Sequence, residues 1–276
     1  MRRVFVTAII GRAGLGNELF PFQRALERAA LGGYQFVAPS WLHLHLGPLL
    51  RRERDLRWYW RLFAYSSSWA GARVILLRCL SLLSFRRLTL LSEVGMKDYF
   101  ACFRLPGEWH REQLIKFANR RAISAAKDDE YFSAHVRLGD YPKTLANAHD
   151  GLTDKIARTP MEWYAEMIEL VRVRFPDIPV IVSSDGSDKE LEMLLRIPGV
   201  GRSQARSALD EMLLLSHSCG IMGSCSTFSA WGAFLGSVPL LLMKGGNAYH
   251  PHSQVWECSS SSDALAWLQT VESNGL

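Results

Sequence analysis

The sequence predicts an α/β protein: parallel strands buried on both faces, with helices between them. Three observations carry that expectation. Short continuous apolar runs recur at residues 4–10, 179–182 and 238–243, as strands covered on both sides require. Stretches of helical period follow such runs, at 19–30 and 189–196. Polar side chains collect just beyond the predicted strand ends, where open α/β sheets bind their ligands.

The totals agree. The chain has 276 residues, 48% of them hydrophobic, enough for one large domain or two small ones. A net charge of +5 favours anionic partners such as nucleotides, acidic lipids or nucleic acid. Five cysteines (Cys79, Cys102, Cys219, Cys225, Cys258), an odd number with no CxxC, argue against a disulfide framework or structural zinc and for a reducing, cytoplasmic setting. Residues 4–10 follow Met1-Arg2-Arg3 and superficially resemble a secretion signal. The run is short and a glycine-rich loop succeeds it, so a first strand is expected. The most apolar zone, 69–91, is interrupted by Arg73, Arg78, Arg86 and Arg87, which argues against a membrane span.

In order, the first strand runs into Gly11-Arg12-Ala13-Gly14-Leu15-Gly16-Asn17, then a helix ending near Gly32-Gly33. This loop is either a ligand cradle or a plain tight turn; it is neither the dinucleotide fingerprint nor a P-loop. Residues 34–38 read as a second strand. Residues 41–91 are rich in arginine and tryptophan and read as a basic helical insertion. Its tryptophans either fill the core, or the 51–91 region makes peripheral contact with the inner membrane face or with nucleic acid. Residues 96–104 suggest an extended segment and 108–126 a helix.

The run Ala134-His135-Val136-Arg137-Leu138-Gly139-Asp140-Tyr141 reads as a strand end and a bend. Arg137 there is either an anion clamp or the partner of Asp140. A polar loop with His149 and Asp150 follows. Thr159-Pro160-Met161-Glu162 opens a helix with threonine as N-cap and proline at the first position. The strand at 179–182 ends at Ser183-Ser184-Asp185, where Asp185 can meet a base or sugar or simply close a turn. After an apolar helix at 205–218 come a short strand, a small-residue loop and a helix starting near Ser226. The hydroxyls and free N–H groups at that start suit an anion, or are ordinary caps. A last strand at 238–243, a mobile serine run at 259–262 and a closing helix at 263–270 complete the reading.

Four segments carry a resemblance. Gly14-Leu15-Gly16-Asn17-Glu18-Leu19-Phe20 resembles the GxGNQxF loop of the α-1,2-fucosyltransferases (glycosyltransferase family 11). His135 to Tyr141 resembles their HxRRGDY motif, Val182-Ser183-Ser184-Asp185 their FSDD segment, and Ser224 to Ala233 their SSCSTFSWWGA motif. The similarity covers the first helix and most of 130–245, and the chain reads as a divergent, bacterial-type member.

The resemblance implies a GT-B-like fold of two Rossmann-type domains facing a cleft, an acceptor-side domain at 1–125 carrying the insertion 41–91, and a nucleotide-sugar domain at 126–276. It implies GDP-fucose as donor, a glycan or lipid-linked glycan as acceptor, and neither cofactor nor metal. By position, Arg137 would bind the pyrophosphate and His135 and Asp185 the guanosine. Ser226, Thr227 and Phe228 would lie under the phosphates, and Gly16 and Asn17 at the sugar. Arg137 and Asp140 are the catalytic candidates, with Glu18, His149 and Asp150 as further candidates for base or acceptor binding. Leu138 stands where the family carries a second arginine, whose charge Arg12 could supply; Glu18 replaces a glutamine and Ala230 a tryptophan. The alternatives are the same fold with another nucleotide sugar, or a non-catalytic basic module for membrane or nucleic acid.

Overall fold

The structure, a computed structural model, describes residues 3–11, 13–42, 58–64, 68–83, 88–124, 129–139, 158–245 and 255–276. The chain divides into two compact units, Met1–Ile123 and Ser124–Leu276. Each is a parallel sheet with helices, the arrangement the sequence predicts.

The first unit contains β1 (Arg3–Ile9), α1 (Leu15–Gly32), β2 (Gln35–Phe36), α2 (Ser68–Leu83), β3 (Leu88–Val94) and α3 (Gly107–Phe117). Its strand order is β2-β1-β3, all parallel. As the central strand, β1 buries Phe5, Val6, Thr7 and Ala8 in succession, hence the unbroken apolar run. Gly33 ends α1 in the left-handed region at φ 62°, a conformation glycine adopts without steric cost.

The region 41–91 is only partly an insertion. Residues 88–91 belong to β3, which pairs with β1 from Arg3 opposite Leu88 to Ile9 opposite Val94. The helix within it, α2, is the crossover from β2 to β3, and its Leu77 packs against Phe5 and Val37. Trp41 fills the core, stacked on Phe63 with ring centroids 4.0 Å apart, whereas Trp58 is exposed.

Residues 96–104 are not extended. A turn and the 3-10 helix Tyr99–Cys102 occupy them, with Asp98 and Tyr99 at φ 53° and 42°. The cause is long-range: Arg24 of α1 donates to the carbonyls of Val94 (2.8 Å) and Gly95 (2.6 Å), while Phe20 gathers Tyr99, Phe100 and Phe103 around its ring. α3 stops at Phe117, not near 126, because Ala118 leaves the helix to form an antiparallel bridge with Phe63.

The second unit contains β4 (Phe132–Val136), α4 (Met161–Arg174), β5 (Val180–Ser184), α5 (Glu192–Leu195), β6 (Val200–Arg202), α6 (Ala208–Ser216), β7 (Ile221–Gly223), α7 (Thr227–Gly236), β8 (Leu240–Met243), β9 (Val255–Cys258) and α8 (Ser261–Ser273). The parallel order is β6-β5-β4-β7-β8-β9. Successive strands run outward from β4 on one side and from β7 on the other, so the switch point lies between these two.

Helix α4 begins at Met161 with Pro160 as N-cap and no side-chain cap. Thr159 lies one position before the cap and is buried, with its hydroxyl engaged by Tyr164. The edge strands β6 and β9 were not expected: three and four residues of mixed polarity give little periodic signal. The serine run at 259–262 is the start of α8, where Ser260 and Asp263 form a capping box. Among the described residues, no helix is long and apolar enough to cross a membrane.

Candidate functional site

The site is built at the carboxyl ends of β4, β5 and β7, beside the switch point. Ser224, just past β7, ties two of these strands together. Its N–H donates to the His135 carbonyl at 2.9 Å, and its hydroxyl accepts from the Arg137 N–H at 2.8 Å. From α4, the fully buried Tyr164 hydroxyl reaches the same His135 carbonyl (3.0 Å) and the Ser224 Oγ (2.8 Å). Burial raises the Tyr164 pKa, so the phenol stays protonated and able to donate.

Asp185, at the end of β5, organises the loop after β4. Its Oδ1 accepts from the Leu138 N–H at 2.7 Å and its Oδ2 from the Gly139 N–H at 2.9 Å. Arg137 Nη1 lies 3.3 Å from the same Oδ2. The carboxylate thereby holds the Arg137 guanidinium and fixes the backbone on either side of Leu138. A Cβ at Gly139 would run into Asp185 Oδ2, so a side chain there requires the carboxylate to move. Leu138 is buried in the main hydrophobic cluster, with a methyl 2.5 Å from where a Gly186 Cβ would stand.

His135 is buried within β4 and stacked on Phe228, centroids 5.0 Å apart and planes at 20°. Its Nδ1 lies 2.6 Å from the Ser229 Oγ. Ser229 donates its one proton to the Ser224 carbonyl at 3.0 Å, so its oxygen accepts from Nδ1–H. That fixes the tautomer and leaves Nε2 as an acceptor. Burial first, then the Arg137 charge, lowers the His135 pKa to about 4, with Asp185 opposing, so the ring is neutral near pH 7.

Ser226 is the N-cap of α7, its hydroxyl accepting from the Ser229 N–H, and Thr227 and Phe228 form the first turn. A helix start with early N–H groups directed outward attracts anions. One more group joins from α6. Glu211 sits against Ser183, Arg202 and Asp185, and burial raises its pKa to about 7 against the lowering effects of Ser183 and Arg202. Arg202 itself clamps the turn after β5, donating to the Gly186 carbonyl at 2.7 Å.

The structure thus brings together His135, Arg137, Asp185, Ser226, Thr227 and Phe228. The glycine loop belongs to the first unit. There Gly14 is the N-cap of α1, the Asn17 N–H donates to the Gly14 carbonyl at 3.0 Å, and the Leu15 N–H donates to the Tyr59 hydroxyl at 2.9 Å. Gly16 lies in the first turn, and the buried Glu18 accepts from the Ala13 N–H, closing the loop on itself. Arg12, Asp140, His149 and Asp150 lie outside the described residues.

Sequence reasoning missed Ser224, Ser229, Tyr164 and Glu211 as site residues. The two serines stand inside the Ser224–Ala233 motif, and Glu211 is an acid in an apolar helix; nothing in the sequence marks Tyr164.

No protein-family profile matches the chain, and no curated protein matches it by sequence. Among solved structures it resembles the NodZ α-1,6-fucosyltransferase soaked with GDP-fucose, with 15% identity, 91% of this chain and 98% of that chain covered, and a TM-score of 0.50. The heptosyltransferase WaaC of E. coli with ADP is also similar, with 14% identity, 99% and 100% coverage and a TM-score of 0.48. The likeness is one of fold: two Rossmann-type units, as in the GT-B glycosyltransferases.

Proposed function

We propose that this chain is an inverting glycosyltransferase that moves fucose from GDP-fucose to a hydroxyl of a glycan or lipid-linked glycan. The observation that carries this is that Arg137, with its guanidinium held by Asp185, a neutral His135 and the start of α7 all follow or end strands beside one switch point. Those are the groups a nucleoside diphosphate needs. The acceptor oxygen attacks the anomeric carbon, the bond from that carbon to the β-phosphate oxygen breaks, and the electron pair leaves on the diphosphate. The acceptor's proton passes to a base. Negative charge grows on the leaving group, and Arg137 with the amides of Thr227 and Phe228 stabilises it; one such donor is typically worth about 10²–10³ in turnover.

His135 Nε2 accepts from the guanosine, either a ribose hydroxyl or a base N–H. Asp185 acts chiefly through Arg137, since both its oxygens already hold the loop. Asp140 is the first candidate base, with His149 and Asp150 next. Glu18 is less suited, because it is buried and engaged with Ala13. Fucose, the α-1,2 linkage, a role in polysaccharide biosynthesis and independence of cofactors and metals rest on the motif resemblance. Gly16 and Asn17 are assigned to the sugar end on the same ground.

A second donor is favoured by one observation: the buried Leu138 cannot supply the second cation of the fucosyltransferase motif. The same fold would then use another nucleotide sugar. Calorimetric titration with GDP, GDP-fucose, UDP and ADP, together with turnover, decides between them. GDP and GDP-fucose should bind, and Arg137→Ala should lose at least 100-fold in turnover. Preferential UDP or ADP binding would move the reading to the second donor class, and near-normal turnover by Arg137→Ala would remove the mechanism.

A further inference from the structure

Helix α2 (Ser68–Leu83) presents an apolar surface on the side away from its sheet. Leu77 is buried against Phe5 and Val37, with Val74 packed beside it. At about 100° per residue, the outward positions fall in one arc, in the order Arg78, Leu82, Ile75, Cys79, Ala72, Leu76, Leu80, Arg73. Leu82 is 84% exposed, Ile75 64%, Leu76 58% and Leu80 42%. The apolar arc therefore has an exposed arginine at each rim, and the helix contains no acidic residue. Arg86 and Arg87 follow it closely in sequence.

A contiguous apolar face of this kind marks an interaction surface. We propose that α2 rests in the interfacial layer of an anionic lipid bilayer, with Ile75, Leu76 and Leu82 at the acyl boundary and Arg73 and Arg78 at the headgroup phosphates. Charge selects this occupant. A two-fold pairing of α2 with its copy would set four arginines around one apolar seam with no carboxylate from either helix to meet them. A bilayer surface supplies anions along both rims at once. The inference stands apart from the donor reading, since it uses no residue of the nucleotide site.

Sedimentation of the whole chain with vesicles tests it. Vesicles of phosphatidylcholine with phosphatidylglycerol should bind at least tenfold more tightly than phosphatidylcholine alone, and binding should weaken with salt. The double variants Leu76→Gln/Leu82→Gln and Arg73→Glu/Arg78→Glu should each lose at least tenfold in binding while keeping the thermal unfolding midpoint and far-ultraviolet spectrum. No binding by the wild type, equal binding to neutral vesicles, or full binding by either folded variant overturns the proposal. So does a wild-type dimer that Leu76→Gln/Leu82→Gln disperses in the absence of any vesicle binding.

Discussion

The carboxylate of Asp185 closes directly on the backbone of Gly139, its Oδ2 accepting the Gly139 N–H at 2.9 Å. A side chain at 139 would occupy the place of that oxygen. Gly139→Ala should therefore push Asp185 off the loop and release Arg137. The expected result is a tenfold or greater loss of nucleoside-diphosphate affinity by calorimetry, with the thermal midpoint lowered by only a few degrees.

Removing the carboxylate separates positioning from charge. Asp185→Ala leaves the amides of Leu138 and Gly139 without the acceptor they now share, a loss of roughly 2–3 kcal/mol by urea unfolding. Asp185→Asn keeps one carbonyl oxygen and should retain part of both stability and nucleotide affinity. Equal affinity in the two variants would show that the loop is held by something else.

Leu138 invites the substitution that restores the family's second arginine. The side chain here points into the hydrophobic cluster, against Gly186. Leu138→Arg should cost on the order of 3 kcal/mol in stability, because it forces a charge into an apolar site, and should gain no diphosphate affinity. A tighter GDP complex with unchanged stability would mean that the loop can turn this residue outward.

Two titrating groups give opposed pH slopes. His135, with its pKa lowered from 6.5 to about 4, contributes stability above pH 6.5 that is lost as pH falls toward 4. Glu211, raised from 4.5 to about 7, contributes stability below pH 4.5 that is lost as pH rises to 7. Each change is on the order of 3 kcal/mol by linkage, and between pH 4.5 and 6.5 they largely offset. Glu211→Gln should make stability rise with pH across that window, and His135→Gln should make it fall, both read from urea midpoints in a pH series. Parallel slopes in the two variants would sink the assignment.

Ser226→Ala tests the start of α7. It removes the hydroxyl that accepts the Ser229 N–H, with an expected cost of about 1 kcal/mol. If that helix start binds diphosphate, affinity should also fall severalfold, more than for Ser207→Ala at the equivalent cap of α6.

The central strands, the helices after them and the loops at their ends were legible because each is local. The run at 4–10 and the Ser-Thr-Phe start of α7 carry their own propensities, so β1 and the start of α7 stand within a residue of the sequence expectation, while α1 begins at Leu15, inside the expected glycine loop. The edge strands β6 and β9, the turn at 96–104 and the strand β3 were missed because partners distant in sequence create them: Arg24 bends 94–97, and β1 recruits 88–94.

The sequence by itself determined the α/β class, the order of the principal elements and the identity of the polar residues at the strand ends, since these depend on short-range periodicity and turn chemistry. Only the tertiary structure decided what those residues do to one another. It turned Asp185 inward onto the loop, buried Leu138, fixed the His135 tautomer through Ser229, and brought in Tyr164, Ser224 and Glu211. Side-chain direction and burial depend on contacts between strands and helices 29 to 94 residues apart in the chain, and no local pattern encodes them.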